Sequence, residues 1–377
     1  MIDDPEKGRS SHIHGSSRVN EGLTPPVSLN ASEAISEAVA IFEESSGPPI
    51  FNKPLHENTR SQTRPDCAQV AILLCTFNGQ RFLPQQLESI NNQRWPGWFI
   101  ALSDDGSSDN TLEIASHYQA LWGEERINVW RGPGLGFARN FMSFTRNRTL
   151  QAEFYAWCDQ DDIWHEDKLQ VAITWLQSVP HDEPALYLGR TELISEQGEV
   201  LGHSPLFGRP PSFANALVQN IGGGNTMVFN HAARCLFQDA AERLALLSLD
   251  IVSHDWWAYL LVTGVGGQVH YEPTAYVGYR QHEHNLVGSN AGWRARTVRI
   301  RQLFKGRFRD WNTTNIAALE AVLLYLTDEN RDLLEQLKAL RSPSLRVRLA
   351  SLRRTDIYRQ TRLGNLGLLV AVLLNVM

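Results

Sequence analysis

A chain of 377 residues exceeds the usual size of one domain, which predicts a main domain with appendages. Its 42% hydrophobic and 20% charged residues fit a soluble globular protein, and four widely spaced cysteines without a CxxC pair exclude a disulfide framework or a zinc site. The net charge of −6 hides an asymmetry: from Arg294 onward 16 Lys and Arg stand against 7 Asp and Glu, so a +9 tail follows a −15 body. A basic tail on an acidic body suggests an anionic surface as partner.

Residues 1–66 are rich in Ser, Pro, Glu and Asn, with Pro25-Pro26, Pro48-Pro49 and Pro54 as breakers. They read as a flexible extension with one short amphipathic helix over 32–44 and no secretory signal. An apolar run over 70–75 then predicts a strand buried on both faces, broken at Thr76-Phe77-Asn78-Gly79. Helical spacing follows over 82–92, a second strand over 98–102, a helix over 110–121 and a third strand over 127–130. The segment Gly132-Pro133-Gly134-Leu135-Gly136 reads as a loop, because neither a GxxxxGK[ST] nor a GxGxxG phosphate fingerprint stands in the required context.

A fourth strand over 154–158 ends in three carboxylates within four positions, Asp159, Asp161 and Asp162, and a helix-like segment follows over 163–177. Carboxylates crowded at one strand end repel one another unless a cation or donors compensate. Mg²⁺ takes one or two carboxylates plus substrate phosphates, so this is a candidate metal–diphosphate site. The plainer reading, a helix N-cap, needs only one Asp. The β-α-β-α-β alternation predicts a mostly parallel sheet flanked by helices, whose ligands bind beyond the carboxyl ends of the strands. The clusters 76–79, 104–109 and 159–162 all fall on that edge. Turn and cap roles account for Gly106 and Asp109, but not for a second carboxylate beside Asp105.

Farther along, strands are expected over 186–194, 227–230 and 269–279, a Pro/Gly-rich loop over 205–211 and a buried helix over 256–263. Gly222-Gly223-Gly224 before a strand permits close approach by a ligand or another backbone, or marks a bulge. The region 291–377 reads as helical. It holds a basic amphipathic stretch over 293–309, an amphipathic helix over 316–340, an Arg-rich segment over 345–362 and an uncharged apolar end over 363–377. That end is shorter than the roughly 20 residues that span a bilayer, so it reads as an interfacial or packing helix. The basic stretch suits anionic lipid headgroups at the inner face of the plasma membrane. Nothing else supports nucleic acid as partner, and the 316–340 helix suits packing on the main domain or a homo-oligomer.

The ordered motifs Ala71-Ile-Leu-Leu-Cys-Thr-Phe-Asn-Gly79, Ser103-Asp-Asp-Gly-Ser-Ser-Asp109, Trp157-Cys-Asp-Gln-Asp-Asp-Ile-Trp164 and Ser253-His-Asp-Trp-Trp257 resemble glycosyltransferase family 2, of GT-A fold. Within it the chain looks most like bacterial rhamnosyltransferases of cell-surface polysaccharide synthesis. The resemblance implies a GT-A catalytic domain over 67–290, Rossmann-like, between the 1–66 extension and the helical 291–377 region. It implies that Thr76, Asn78, Asp104 and Asp105 hold the donor nucleotide, with Asp105 toward the base. Asp159-Gln160-Asp161 matches the DxD motif, with Asp161 on the metal and Asp159 on the ribose or a metal-bound water, while Asp162 caps a helix. Arg139 would steady a phosphate. Gly223, Gly224, Asn225 and Trp256 would lie toward donor sugar and acceptor.

Asp255 matches the family's catalytic base; His254 replaces the more common Glu and would orient Asp255 or touch the acceptor. His282 is a candidate third metal ligand or, like Arg280, a phosphate contact. The expected cofactor is Mg²⁺ or Mn²⁺, since carboxylates suit both. The implied activity is inverting transfer of L-rhamnose from dTDP-L-rhamnose to a lipid-linked or growing glycan, at a cytoplasmic site. The alternatives are another sugar from a UDP donor, or a non-catalytic sugar-nucleotide-binding module.

Overall fold

The strand β1 (Val70–Thr76) is buried along its whole length, and the rest of the sheet is assembled around it. The computed structural model describes residues 67–282 and 307–377. The expectations for 1–66, for most of the 293–309 stretch and for the boundaries at 66 and 290 lie outside those residues. Strands β2 (Trp98–Asp104), β3 (Ile127–Arg131) and β4 (Phe154–Asp159) complete a parallel core in the order β3-β2-β1-β4. Past β4, strand β9 (Val228–Asn230) runs antiparallel between β4 and β6 (Ala185–Gly189), and β10 (Gln268–Glu272) closes the seven-stranded sheet. A small second sheet holds β5 (Ile163–Trp164), β7 (Glu192–Ile194), β8 (Val200–His203) and β11 (Val277–Arg280), in the order β5-β11-β7-β8.

The period-2 alternation of strand side chains divides β1 between two cores. Val70, Ile72 and Leu74 join Ala156 and Cys158 on one face, where α1 (Leu83–Asn91), α2 (Thr111–Trp122) and α4 (Lys168–Leu176) supply Leu83, Leu87, Ala115, Leu169 and Ile173. Ala71, Leu73 and Cys75 join Tyr155 and Trp157 on the other. There α3 (Phe137–Arg146), α5 (Phe213–Ala216), α6 (His231–Leu246) and α7 (His254–Gly264) supply Phe141, Phe213, Phe237 and Trp257. The C-terminal helices α8 (Arg307–Ala321), α9 (Asp328–Leu340), α10 (Leu345–Leu352) and α11 (Arg362–Leu374) extend this second core through Leu319, Leu334, Leu337, Leu368 and Val372. Truncating a fully buried β1 leucine such as Leu73 to Ala would cost about 2–5 kcal/mol.

Register then levels the functional edge. Thr76 lies opposite Asp104, and Cys75 lies opposite both Ser103 and Asp159, so β1, β2 and β4 end within one residue of one another.

Four expected elements are corrected. Residues 163 and 164 form β5, pairing antiparallel with Gly278 and Val277, and the helix starts only at Lys168. Asp162 therefore caps no helix. The 186–194 run is two strands in two sheets, and so is 269–279, where Pro273 cannot donate to a ladder and ends β10. The 316–340 segment is two helices, divided by a 3₁₀ turn over Leu323–Tyr325 and a new N-cap at Thr327, whose side chain accepts from Asn330 N.

Candidate active site

The first cluster on the sheet edge is built from β2. Asp104 Oδ1 accepts from Thr76 Oγ1 at 2.9 Å and Ser107 Oγ at 2.5 Å, and Oδ2 accepts from the Ser107 and Gly106 amides at 2.9 and 3.2 Å. Asp105, 8% exposed, accepts the Gly134 amide on Oδ1 and the Gly136 amide on Oδ2, both at 2.7 Å. Those glycines have φ of 68° and 92°, a region side chains disfavour, so the 132–136 loop is shaped to turn its amides onto one carboxylate. Asn78, itself at φ 49°, accepts the Ser108 amide at 2.8 Å and ties the β1 loop to the β2 loop. Of the residues expected to hold the nucleotide, Thr76, Asn78, Asp104 and Asp105 thus share one bonded network. Arg139 stands apart on the surface, paired with Asp250 at 3.0 Å.

The second cluster is built from β4 and has far fewer donors. Gln160, between the two DxD carboxylates, clips this loop to β1: its amide accepts from Phe77 N and donates to Phe77 O, both at 2.9 Å. It also lies so close over Gly79 that a Cβ there would stand 2.1 Å from Gln160 Oε1. Asp161 Oδ2 lies 2.7 Å from His282 Nε2. Asp162 is fully buried, accepting from Asn225 Nδ2 at 2.5 Å and the Arg280 amide at 3.2 Å. Burial, then Asp161 and Asp159, pushes its carboxyl well above the ordinary range. Asp159 is raised to about 7, by burial first and then by Asp161 and Asp255.

Asp255 enters this cluster from the first turn of α7. Its Oδ2 accepts from Asn220 Nδ2 at 2.9 Å and its Oδ1 from the Trp256 amide at 2.7 Å. The half-buried Tyr279 of β11 reports the convergence. Its phenol is pushed up by burial and then by Asp162, Asp159, Asp161 and Asp255 together. Residues far apart in sequence therefore form one acidic group at the carboxyl end of β4.

Several expected contacts are instead supports. His254 is 5% exposed; its ring stacks on Phe141 at 4.3 Å and meets Trp157 edge-on at 4.7 Å, with neither nitrogen hydrogen-bonded. Burial holds it down at about 4, so it is a neutral packing group and not an acceptor contact. Gly224 is required there, because a Cβ would lie 2.3 Å from His254 Nε2. Trp256 is buried and donates Nε1 to Ala216 O at 2.7 Å, and Asn225 is spent on Asp162; of the four residues expected toward sugar and acceptor, only Gly223 is exposed. Arg280 is buried and bonds Asp161 O, Gln85 and the 195–196 backbone, which leaves it bracing the DxD loop, not reaching a phosphate. Sequence reasoning missed Asn220, Gln160 and Tyr279; only Gln160, inside the DxD motif, carried a local signal. An open depression of about 650 Å³ lined by Gln85, Glu88, Trp164 and Glu166 holds none of the four clustered carboxylates.

Among the described residues no three His, Cys, Asp or Glu side chains form a ready-made metal cage. The donor set nonetheless fits a divalent ion that takes most ligands from elsewhere. Asp161 is close enough to raise the Asp159 carboxyl, and His282 already touches Asp161.

The glycosyl transferase family 2 profile matches residues 71–244. The dTDP-rhamnosyl transferase RfbG of Shigella flexneri is 27% identical over 239 residues, covering 60% of this chain and 78% of that protein. Other curated glycosyltransferases are matched over between 21% and 41% of their own length. Among solved structures, S. aureus TarS 1–349 with UDP-GlcNAc superposes with a TM-score of 0.48 at 14% identity, over 71% of this chain and 70% of that one. The Pyrobaculum calidifontis mannosyltransferase PcManGT with GDP-Man and Mn²⁺ gives 0.44 at 15%, over 92% and 95%. With the parallel sheet and the edge motifs in place, the segment 71–244 belongs to glycosyl transferase family 2.

Proposed function

We propose that the protein is an inverting, divalent-metal-dependent glycosyltransferase that moves L-rhamnose from dTDP-L-rhamnose onto a lipid-linked or growing cell-surface glycan. The observation that carries the reading is the convergence of Asp159, Asp161 and Asp162 with Asp255 around Tyr279. Carboxylates crowded this way suit a cation and a base that takes up a proton. The rhamnosyl part leans on the likeness to the Shigella protein.

In this reading Asp255 is the general base. Asn220 and the Trp256 amide fix its carboxylate, leaving lone pairs to take the proton of an acceptor hydroxyl as that oxygen attacks the anomeric carbon. One displacement inverts the anomeric centre. Asp161, with Asp159 and His282 beside it, would hold the metal. Bound there, Mg²⁺ or Mn²⁺ would supply charge stabilisation for the departing diphosphate. Asp105 with its glycine loop, Asn78 and Thr76 shape the floor beneath the nucleotide.

Titration calorimetry with dTDP and UDP, with and without Mn²⁺ or Mg²⁺, tests the reading. Metal-dependent binding of dTDP in preference to UDP is expected, and Asp161→Asn should weaken it on the order of 100-fold. Preference for UDP would keep the transferase and change the sugar. Binding of neither by the folded protein would favour a non-catalytic module.

A further inference from the structure

The last helix leaves an apolar face uncovered. Helix α11 carries no charge after Arg362, and its buried side uses Leu368, Ala371 and Val372. The opposite side exposes Leu363 at 77%, Leu366 at 55%, Val370 at 37%, Leu373 at 40% and Leu374 at 56%. Positions 363, 366, 370, 373 and 374 repeat at helical spacing and form one strip. The neighbouring α10, tied to α11 by Arg348 Nη2 on Leu373 O at 3.2 Å, exposes Leu345, Val347 and Leu349. Around these leucines the chain is basic: residues 341–377 hold seven arginines and one acidic residue, Asp356, with Arg346, Arg353, Arg354 and Arg362 exposed.

We infer that this α10–α11 face docks the protein onto an anionic lipid surface, with the strip in the acyl–headgroup boundary and the arginines on the headgroups. The charge decides the occupant. Two copies meeting through this face would bring their arginines together, whereas anionic headgroups neutralise them. Spanning is excluded for the helix itself, since 13 residues rise about 20 Å against a core of about 30 Å; no described helix is long and apolar enough to cross.

The strap before α11 connects this surface to the chemistry. Arg359 donates to Val218 O at 2.7 Å and the Gln360 amide to Gln219 Oε1 at 2.8 Å. The next residue, Asn220, holds Asp255. The start of the apolar strip is thereby anchored beside the loop that positions the proposed base. An acceptor carried on a lipid would be delivered at that side, a clause that rests on the transferase reading while the docking itself does not.

The test is flotation of the full-length protein with phosphatidylcholine vesicles, with and without phosphatidylglycerol, in the absence of donor. The wild type should float with the anionic vesicles only. The triple variant Leu363→Ser, Leu366→Ser, Val370→Ser alters exposed positions, should keep its melting temperature and dTDP binding, and should lose vesicle binding ~10-fold or more. A second variant, Arg346→Gln, Arg353→Gln, Arg354→Gln, should lose the response to phosphatidylglycerol. Unchanged flotation in both variants, no flotation of the wild type, or a wild-type dimer in sedimentation that the serine variant dissociates would each overturn the proposal. Failure of dTDP to bind with flotation intact would instead count against the transferase reading.

Discussion

Two acidic clusters stand on one sheet edge, at the ends of β2 and β4 on either side of β1, and their surroundings are opposite. Asp104 and Asp105 are met by six hydrogen-bond donations from Thr76, Gly106, Ser107, Gly134 and Gly136. Asp159 and Asp162 are raised by burial first and then by their acidic neighbours, Asp161 and Asp255 beside Asp159, and Asp161 and Asp159 beside Asp162. The same residue type therefore does two jobs. Where backbone amides surround a carboxylate, it stabilises the loops that shape the site. Where carboxylates mainly face each other, the fold holds charge that a metal and a substrate can relieve.

The largest effect expected from this contrast is on turnover. Asp255→Asn should lower kcat about 10³-fold while leaving metal-dependent dTDP binding and the melting temperature nearly unchanged. Single-turnover transfer beside calorimetry checks this, and near-normal transfer would remove Asp255 from the role of base. Asp105→Asn should act on the fold instead. It turns an amide NH₂ toward the Gly134 or Gly136 N–H and should cost about 3 kcal/mol in denaturant unfolding. A variant of wild-type stability would mean that the glycine loop does not depend on this carboxylate.

How much of this contrast was legible follows from the range of each interaction. The strands, the edge and the DxD run were readable because buried strands need apolar runs and each cluster is local in sequence. The small sheet was not readable, since β5 has two residues and pairs with a strand more than a hundred positions away. Pro273 and the Thr327 cap were visible signals that longer apolar patterns obscured. Trp256 and His254 looked functional because they flank Asp255, but a helix entering the core turns neighbouring side chains in different directions, and these two point inward. Asn220 carries no motif at all; only the fold brings it to Asp255.

His254 gives a pH test of that inward placement. Its folded value of about 4 lies below the ordinary 6.5, so between those values the unfolded chain binds the extra proton. Its contribution is complete above about pH 6.5 and is lost as pH falls toward 4. Between pH 7 and pH 5 the loss should be about 2 kcal/mol. His254→Leu should remove that part of the slope, read as the difference between the two proteins so that other titrating groups cancel. An unchanged difference would mean that the imidazole reaches solvent.

The smallest expected effect divides the clusters most sharply. Asp161 is the first neighbouring charge that raises both Asp159 and Asp162. Replacing it by Asn removes that repulsion while an amide oxygen can still face His282. In chelator, without donor, Asp161→Asn should therefore stabilise the fold by about 1 kcal/mol, although it weakens metal-dependent binding. Asp105→Asn, on the far side of β1, should destabilise it. Thermal melts of both variants in the same buffer give the two signs directly. If both fell, the β4 cluster would be architecture like the β2 cluster, and the case for a charge reserve awaiting a metal would fail. If Asp161→Asn rose in chelator and the wild type overtook it on adding Mn²⁺ with dTDP, the stability given up by the empty site would be seen returning when the ligands bind.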